Sequence, residues 1–378
     1  MIYFDNAATT YPKPMGVSAA VVNTLITPFG NAGRGAHAAA LQAADAVFEA
    51  RKALSDLFGL SDERRVVFAK NATEALNLAI LGVLGNRRGK ARVVTSVLEH
   101  NSVLRPLYHL ERCGKIKLSF FVPSEEPEVC EKNFRACVSS GVDFVVLTAC
   151  ANTTGLSLPL GILSDIAHAA GALVLVDAAQ AAGHQKLTFS SCRADYVCVP
   201  AHKGLYGITG LGALLVGKRS PVPSPLLFGG AGFDSQSREM PNELPERLEA
   251  GTVPIHASSA LCAGIGFVES RGVEQIGERV AALSDAFRAG LLDMGFSVYS
   301  PRGAVMTLFN VDDLQSADVA ERLDEKGICV RAGYHCAPLA HAFLGTHKRG
   351  ALRASFGAFN TFEEVESALS ALHHLYRT

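Results

Sequence analysis

The sequence carries no excess of charge of either sign: 35 lysines and arginines stand against 36 aspartates and glutamates, a formal net charge of −1. Without a basic field, nothing in it advertises a nucleic acid or an anionic membrane surface as a partner. Long hydrophobic runs are missing too. The longest uncharged stretch ends at Ser164 and is interrupted by Asn152, Thr153, Thr154 and Pro159, so it does not read as a membrane span. There is no C-x-x-C pair. The nine cysteines are odd in number and scattered, which argues against a disulfide framework and fits reduced thiols in a cytoplasm. The start, MIYFDNAATT, has no basic segment and reaches Asp5 at once, unlike a signal peptide. Internal repeats and low-complexity segments are also lacking.

What is present is an ordinary globular composition, 48% hydrophobic and 19% charged, over 378 residues, enough for two domains and a large core. From about residue 65 to 216, short apolar runs alternate with helical patterns. RVVFA, RVVTS, DFVVLT, ALVLVDA and DYVCVP read as strands buried on both faces. TEALNLAILGVLG and LSDIAHAAG read as intervening helices, the second stopped by Gly171. The alternation predicts a mostly parallel α/β sheet with helices on both faces. Residues 220–252, rich in Pro, Gly and Ser, read as a long functional loop. A helical stretch over about 257–294 follows. Strand-like pieces VMTLFNV, ICVRAG and ALRASF and a helix from Glu363 complete a second, α+β region.

Ligands of a parallel sheet bind at the carboxyl ends of its strands. There, Asn71-Ala72-Thr73 leads from a strand into a helix, either a plain N-cap or an anion site. Asp177 ends one buried strand, with Gln180 just beyond it, and His202 and Lys203 follow the next. A carboxylate leaving an apolar strand needs a partner, and a lysine in such a place loses its proton readily and can bond an aldehyde. Lys, Asp and a helix N-terminus together are what pyridoxal phosphate requires: one holds the aldehyde, one the protonated pyridine nitrogen and one the phosphate.

In this order the chain also carries YFDNAATT, NATEALN, EHNSVLRP, ANTTG, VDAAQ, AHKGLYG, EAGT and RAGYHCAP. With these motifs it resembles, over nearly its whole length, the class V aminotransferase-like pyridoxal phosphate enzymes. Within them it resembles the cysteine desulfurases and selenocysteine lyases of the type with a short cysteine loop. The resemblance implies a fold-type I transferase, homodimeric with shared sites. Its large cofactor-binding domain would span 16–252, and its small domain 1–15 and 253–378. It implies that Lys203 bonds the cofactor aldehyde, Asp177 the pyridine N–H, and that His100 stacks on the ring. Asn152 and Gln180 would lie near the ring hydroxyl, with Ala72, Thr73 and His202 on the phosphate. Thr252 would reach the phosphate in the other subunit, Arg353 would grip the substrate carboxylate with Arg331 nearby, and Cys336 would accept sulfur.

The implied reaction takes L-cysteine to L-alanine and leaves a persulfide on Cys336, which then serves an acceptor protein that the sequence does not identify. Rival readings are a selenocysteine lyase acting on L-selenocysteine, another transamination or β-elimination, or a scaffold that holds the cofactor without turnover. Three departures from the family pattern stand out: Pro200 where a hydroxyl residue is common, Tyr334 where a second histidine is common, and Gly33 in place of a histidine. His335, Cys336, His341 and His347 suggest zinc at first sight, but their spacing is irregular and no matching pair lies elsewhere, so no metal is expected. The cysteine loop is expected to be mobile, and Cys150 and Cys198 are expected to pack as small hydrophobes.

Overall fold

Strands buried on both faces divide their side chains between two cores, and this division organises the molecule. The computed structural model describes residues 1–377 apart from 34, 139–140 and 233–235. A short N-terminal strand, β1 (Ile2–Tyr3), precedes the seven strands of the main sheet. These are β2 (Val66–Ala69), β3 (Ala91–Ser96), β4 (Ile116–Phe121), β5 (Phe144–Thr148), β6 (Leu173–Asp177), β7 (Tyr196–Pro200) and β8 (Gly212–Val216). Their order is β2-β8-β7-β6-β5-β3-β4, and β8 alone runs against the others. The five expected strands are all there. The edge strand β4, broken by Lys117 and Ser119, and β8 are additions.

Alternate residues of these strands face opposite sides. Val145, Leu147, Val174, Val176, Val197 and Val199 join one core, with helices Ala38–Leu57, Leu160–Ala169 and Ile255–Arg271 over them. Phe144, Val146, Leu175, Tyr196 and Cys198 join the other, under helices Ala72–Leu84 and Asn101–Arg112. Cys150 and Cys198 are buried, as packing thiols should be.

The C-terminal part adds β9 (Ser297–Val298), β10 (Met306–Asn310), β11 (Ile328–Cys329), β12 (Arg331–Gly333) and β13 (Ala351–Ser355). Four of these make an antiparallel sheet in the order β12-β13-β10-β9. The chain start belongs to this region, because β1 pairs in parallel with β11 and Asp5 bridges to Ser355. Phe4 lies 4.7 Å from Phe356, centroid to centroid, and Phe287 packs against both. The expected helical stretch is two helices, Ile255–Arg271 and Val273–Asp293. Gly272 separates them at a φ of +83°, a conformation that costs glycine little. Among the described residues, no helix is long and apolar enough to cross a membrane.

The segment from 217 to 254 holds no helix or strand among its described residues, as expected of the long loop. One buried ion pair anchors its end. Arg51, on helix Ala38–Leu57, grips Glu249 through two bonds of 2.7 and 2.6 Å. Glu249 also accepts from the Phe68 N–H of β2, and the guanidinium stands 4.5 Å from the Phe68 ring centre. Helix, strand and loop thus meet at two charges. Removing one partner of such a pair leaves the other uncompensated. Arg51→Leu is therefore expected to lower stability by about 3–5 kcal/mol, read as a lower urea midpoint. A wild-type midpoint would show that the pair contributes little.

Candidate active site

Three strand ends and two helix starts converge on one pocket. Helix Ala72–Leu84 begins with Asn71, whose side chain accepts from the Glu74 N–H at 2.9 Å, so the plain cap is present. A cap of this kind leaves N–H groups of the first turn, those of Ala72 and Thr73 included, without partners inside the helix. Helix Asn101–Arg112 begins with His100 in the same way. Its Nδ1 accepts from the Ser102 N–H at 3.0 Å, which leaves the proton of the neutral ring on Nε2. A hydroxyl pair joins the two helix starts, Thr73 Oγ1 to Ser102 Oγ at 2.7 Å. Eight of the predicted residues line this pocket: Ala72, Thr73, His100, Asn152, Asp177, Gln180, His202 and Lys203. Pro200 lines it too and brings no hydroxyl.

The electrostatics are those of a dry site holding several ionisable groups. Asp177 is 4% exposed and accepts the Ala179 N–H at 2.9 Å. Burial pushes its carboxyl up, against the opposing pull of that N–H and of Lys203. Lys203 is lowered from the ordinary 10.5 to about 8, chiefly by burial, with Asp177 acting the other way. Burial, then Lys203, lowers His100 to about 4, and the same causes bring His202 to about 4. Both imidazoles are neutral at pH 7. Asn152 Oδ1 and His202 Nδ1 are buried without a partner among the described residues.

The remaining predicted residues arrive from elsewhere in the chain. Arg353, in β13, is 2% exposed; it donates from Nη1 to the Asn152 carbonyl at 2.7 Å and from Nη2 to Asp5 Oδ1 at 3.1 Å. Its Nε has no partner among the described residues. Burial lowers the guanidinium to about 10, still charged at neutral pH. Arg331 lies opposite it across the β12–β13 pair and reaches the same Asp5 at 3.7 Å. Cys336 is exposed and occupies the turn Tyr334–Ala337, closed by the Ala337 N–H on the Tyr334 carbonyl at 2.8 Å. Both central residues are left-handed, His335 at φ 50° and Cys336 at φ 55°. For residues bearing a Cβ this costs about 1–2 kcal/mol each, so other bonds must hold the turn. Asn152 Nδ2 donates to the His335 carbonyl at 2.7 Å, and the Asn101 N–H to the Cys336 carbonyl at 2.7 Å. In this structure the cysteine loop is a tight turn bonded to Asn152, which lines the pocket, and to Asn101, which follows His100.

Thr252 does not join this pocket. It lies on the long loop beside Ala69, Lys70 and Glu74, in a separate cavity with Leu226 and Leu227. Sequence reasoning missed two further groups. Glu99, fully buried, accepts from Ser96 Oγ at 2.6 Å and the Thr148 N–H at 3.0 Å, and burial pushes it up to about 8. Lys13 donates to the His202 carbonyl at 2.8 Å and, with Thr9 and Thr10, straps the chain start over the Lys203 turn. Glu99 is adjacent to His100 in the sequence, but nothing in that neighbourhood signals that it is buried.

Comparison with known proteins agrees over the full length. The family model described as aminotransferase class-V matches residues 2–368. A probable cysteine desulfurase of Pyrococcus abyssi is 33% identical, the match covering 100% of this chain and 95% of that protein. One from Synechocystis sp. is 31% identical over 100% of this chain and 91% of its own length. The apo cysteine desulfurase of Thermococcus onnurineus NA1 superposes with a TM-score of 0.92 at 32% identity, covering 100% of this chain and 94% of that one. The cysteine desulfurase CsdA of Escherichia coli gives a TM-score of 0.88 at 26% identity, covering 98% and 94%.

The lowered Lys203 yields a pH test. Only the neutral amine attacks a carbonyl, and its fraction rises with pH until the ammonium has titrated. In protein dialysed free of carbonyl compounds, trapping of a small aromatic aldehyde on Lys203 by borohydride should accelerate about ten-fold per pH unit and level off above about 8. Peptide mapping locates the adduct. A rate still climbing at the ordinary lysine value would contradict the burial argument.

Proposed function

The chain belongs to the aminotransferase class-V family, and from that premise we propose that it is a pyridoxal phosphate-dependent cysteine desulfurase, taking L-cysteine to L-alanine with the sulfur left on Cys336 as a persulfide. The observation that carries this reading is the docking of the Cys336 turn onto Asn152 and Asn101, beside the pocket of Lys203. The names of its relatives support it.

The donor set fits the cofactor. Asp177 is a buried carboxylate suited to a pyridinium N–H, the start of helix Ala72–Leu84 offers free N–H groups to a phosphate, and Asn152 Oδ1 and His202 Nδ1 await partners. Lys203 would hold the aldehyde and His100 would lie against the ring, with Gln180 and Asn152 near its hydroxyl. When bound, pyridoxal phosphate supplies an electron sink for carbon acids.

The protein groups do the rest. Lys203, poised near neutrality, takes the proton from Cα of the substrate and can return one. Arg353 holds the substrate carboxylate with the donors that Asp5 and Asn152 leave free, and Arg331 stands beside it. The Cys336 thiolate attacks the substrate sulfur. An S–S bond forms, the C–S bond breaks, and its electron pair stays on Cβ, which takes up one proton to become the alanine methyl group, while Cα regains the proton it lost. The persulfide then faces solvent, where an acceptor protein can collect it.

Thr252 completes the site in a second copy of the chain. Its position outside its own pocket, beside Leu227 and Phe228, which are 54% and 74% exposed, supports a homodimer with shared sites. Nine free thiols support a reducing, cytoplasmic setting.

The decisive measurement compares wild type and Cys336→Ala with L-cysteine and L-selenocysteine. Wild type should form alanine from cysteine and carry a persulfide that alkylation and mass spectrometry place on Cys336. Cys336→Ala should keep the cofactor and lose nearly all alanine formation from cysteine. Undiminished turnover by the variant would reduce Cys336 to a packing residue, and a wild type acting on selenocysteine alone would make the enzyme a lyase.

Arg353 gives a separate prediction. A charge-assisted bond contributes about 1.5–3 kcal/mol, so Arg353→Ala should lose roughly ten- to a hundred-fold in kcat/KM while retaining cofactor. Arg353→Lys should recover only part, because the planar fork is gone. Unchanged kinetics in Arg353→Ala would take this arginine out of the substrate site.

A further inference from the structure

Behind the Cys336 turn lie two buried histidines that take no part in the proposed reaction. His335, 6% exposed, places Nδ1 3.1 Å from Nε2 of His341, which is fully buried. The rings are nearly parallel, 17° apart. His335 Nε2 lies 3.2 Å from the Arg331 carbonyl, and His341 Nδ1 lies 2.7 Å from Thr346 Oγ1.

One end of this row sets the direction of the whole. A carbonyl oxygen only accepts, so His335 Nε2 carries a proton. In the neutral ring His335 Nδ1 then accepts, and His341 Nε2 must donate to it. His341 Nδ1 is left as an acceptor, and the Thr346 hydroxyl donates. The Thr346 hydroxyl has a second acceptor in the His341 carbonyl at 3.4 Å, but that carbonyl already takes the Thr346 N–H at 2.9 Å, and the ring nitrogen at 2.7 Å is the nearer partner. A second proton on His335 would place a cation in a buried site near Arg353 and Arg331, and burial together with those charges holds the ring neutral. His341 is kept neutral by burial. Each ring nitrogen has its partner, and the row ends on β12, the strand that carries Arg331.

We propose that Thr346, His341 and His335 form a one-way hydrogen-bond chain that holds the left-handed turn in place and so fixes where Cys336 presents its thiol, with His341 and Thr346 acting as positioning residues. The consequence for turnover rests on the desulfurase reading; the chain itself does not. The turn contains two conformations that favour glycine and has no glycine in them, so its shape depends on bonds made by its neighbours. The carbonyls of its two central residues are held by Asn152 and Asn101, and the buried imidazole of His335 by His341. Neither His341 nor Thr346 is bonded to Cys336 or to a residue lining the Lys203 pocket.

The test combines kinetics with spectroscopy on the holoenzyme. His341→Leu should lower kcat for alanine formation from cysteine about ten-fold, the scale of one lost buried hydrogen bond with its partner stranded, and leave KM within about two-fold. His341→Gln, whose amide N–H can still donate to His335, should stay within about three-fold of wild type. Wild-type kcat in His341→Leu, or a Gln variant as impaired as the Leu variant, would overturn the proposal. If His341→Leu does not fold, Thr346→Val decides: a loss of about three-fold, recovered in Thr346→Ser, supports the chain, and an unchanged kcat overturns it. Histidine-selective 15N labelling reads the tautomers directly, independent of any activity. Both rings should be neutral with the proton on Nε2 between about pH 6 and 8. A proton on Nδ1 of either ring would break the assigned direction. A wild type that formed no alanine would sink the desulfurase reading, while the 15N tautomers would still support or overturn the chain.

Discussion

Asp177 ends a strand whose other core residues are apolar and buried, and a carboxylate in that position must find a cation or give up its charge. Much of the site can be understood as a response to this one desolvated group. Lys203 arrives on the neighbouring strand end and is itself pushed toward the neutral amine by the same dry surroundings. Two imidazoles close by are held neutral rather than charged. Glu99, buried with two donors on one oxygen, is raised instead of ionised, with Asp177 adding to the effect of burial. The pocket therefore concentrates ionisable groups whose charges are poorly settled by the protein alone, and a cationic ring with an anionic tail would settle several of them together.

The second constraint is topological. Residues from both ends of the chain have to meet the carboxyl edge of a sheet built from its middle. The chain start does this by pairing with β11 and bridging to β13, which sets Asp5 between Arg331 and Arg353. Asn6 extends the same junction, donating to the Ser355 carbonyl and to Asn360. Asp5 thereby balances two arginines that would otherwise repel across adjacent strands. It also leaves Arg353 Nε without a partner among the described residues.

Much of this was legible in the sequence, for reasons that differ by residue. The five buried strand runs were readable because strands covered on both faces are apolar throughout, and Asp177 and Lys203 were conspicuous as polar residues ending such runs. Strand β4, an edge strand, alternates too weakly to stand out, and β8 follows a glycine-rich turn that masks its start. The bridging role of Asp5 depends on two strands that pair more than three hundred residues downstream, and no local pattern reports that. Glu99 looked like an ordinary charged residue, because burial is a property of the tertiary fold. The placement of Thr252 away from its own pocket was suggested by family resemblance and by nothing in its neighbouring residues.

The cysteine turn is where the structure adds most to what the sequence shows. A nucleophile that must meet a substrate and later an acceptor suggests a loose loop, and the glycine and proline around Cys336 encourage that reading. The structure instead engages both carbonyls of the turn and its histidine ring, and leaves the cysteine side chain exposed. A fixed backbone with a free side chain meets both demands in a different way. Rotation about χ1 moves a sulfur by a few ångströms at little cost, whereas displacing the turn breaks several bonds that hold two left-handed residues in place. The bonds that hold His335 and Cys336 in the left-handed region thus fix the start of the cysteine side chain and leave χ1 as its freest torsion.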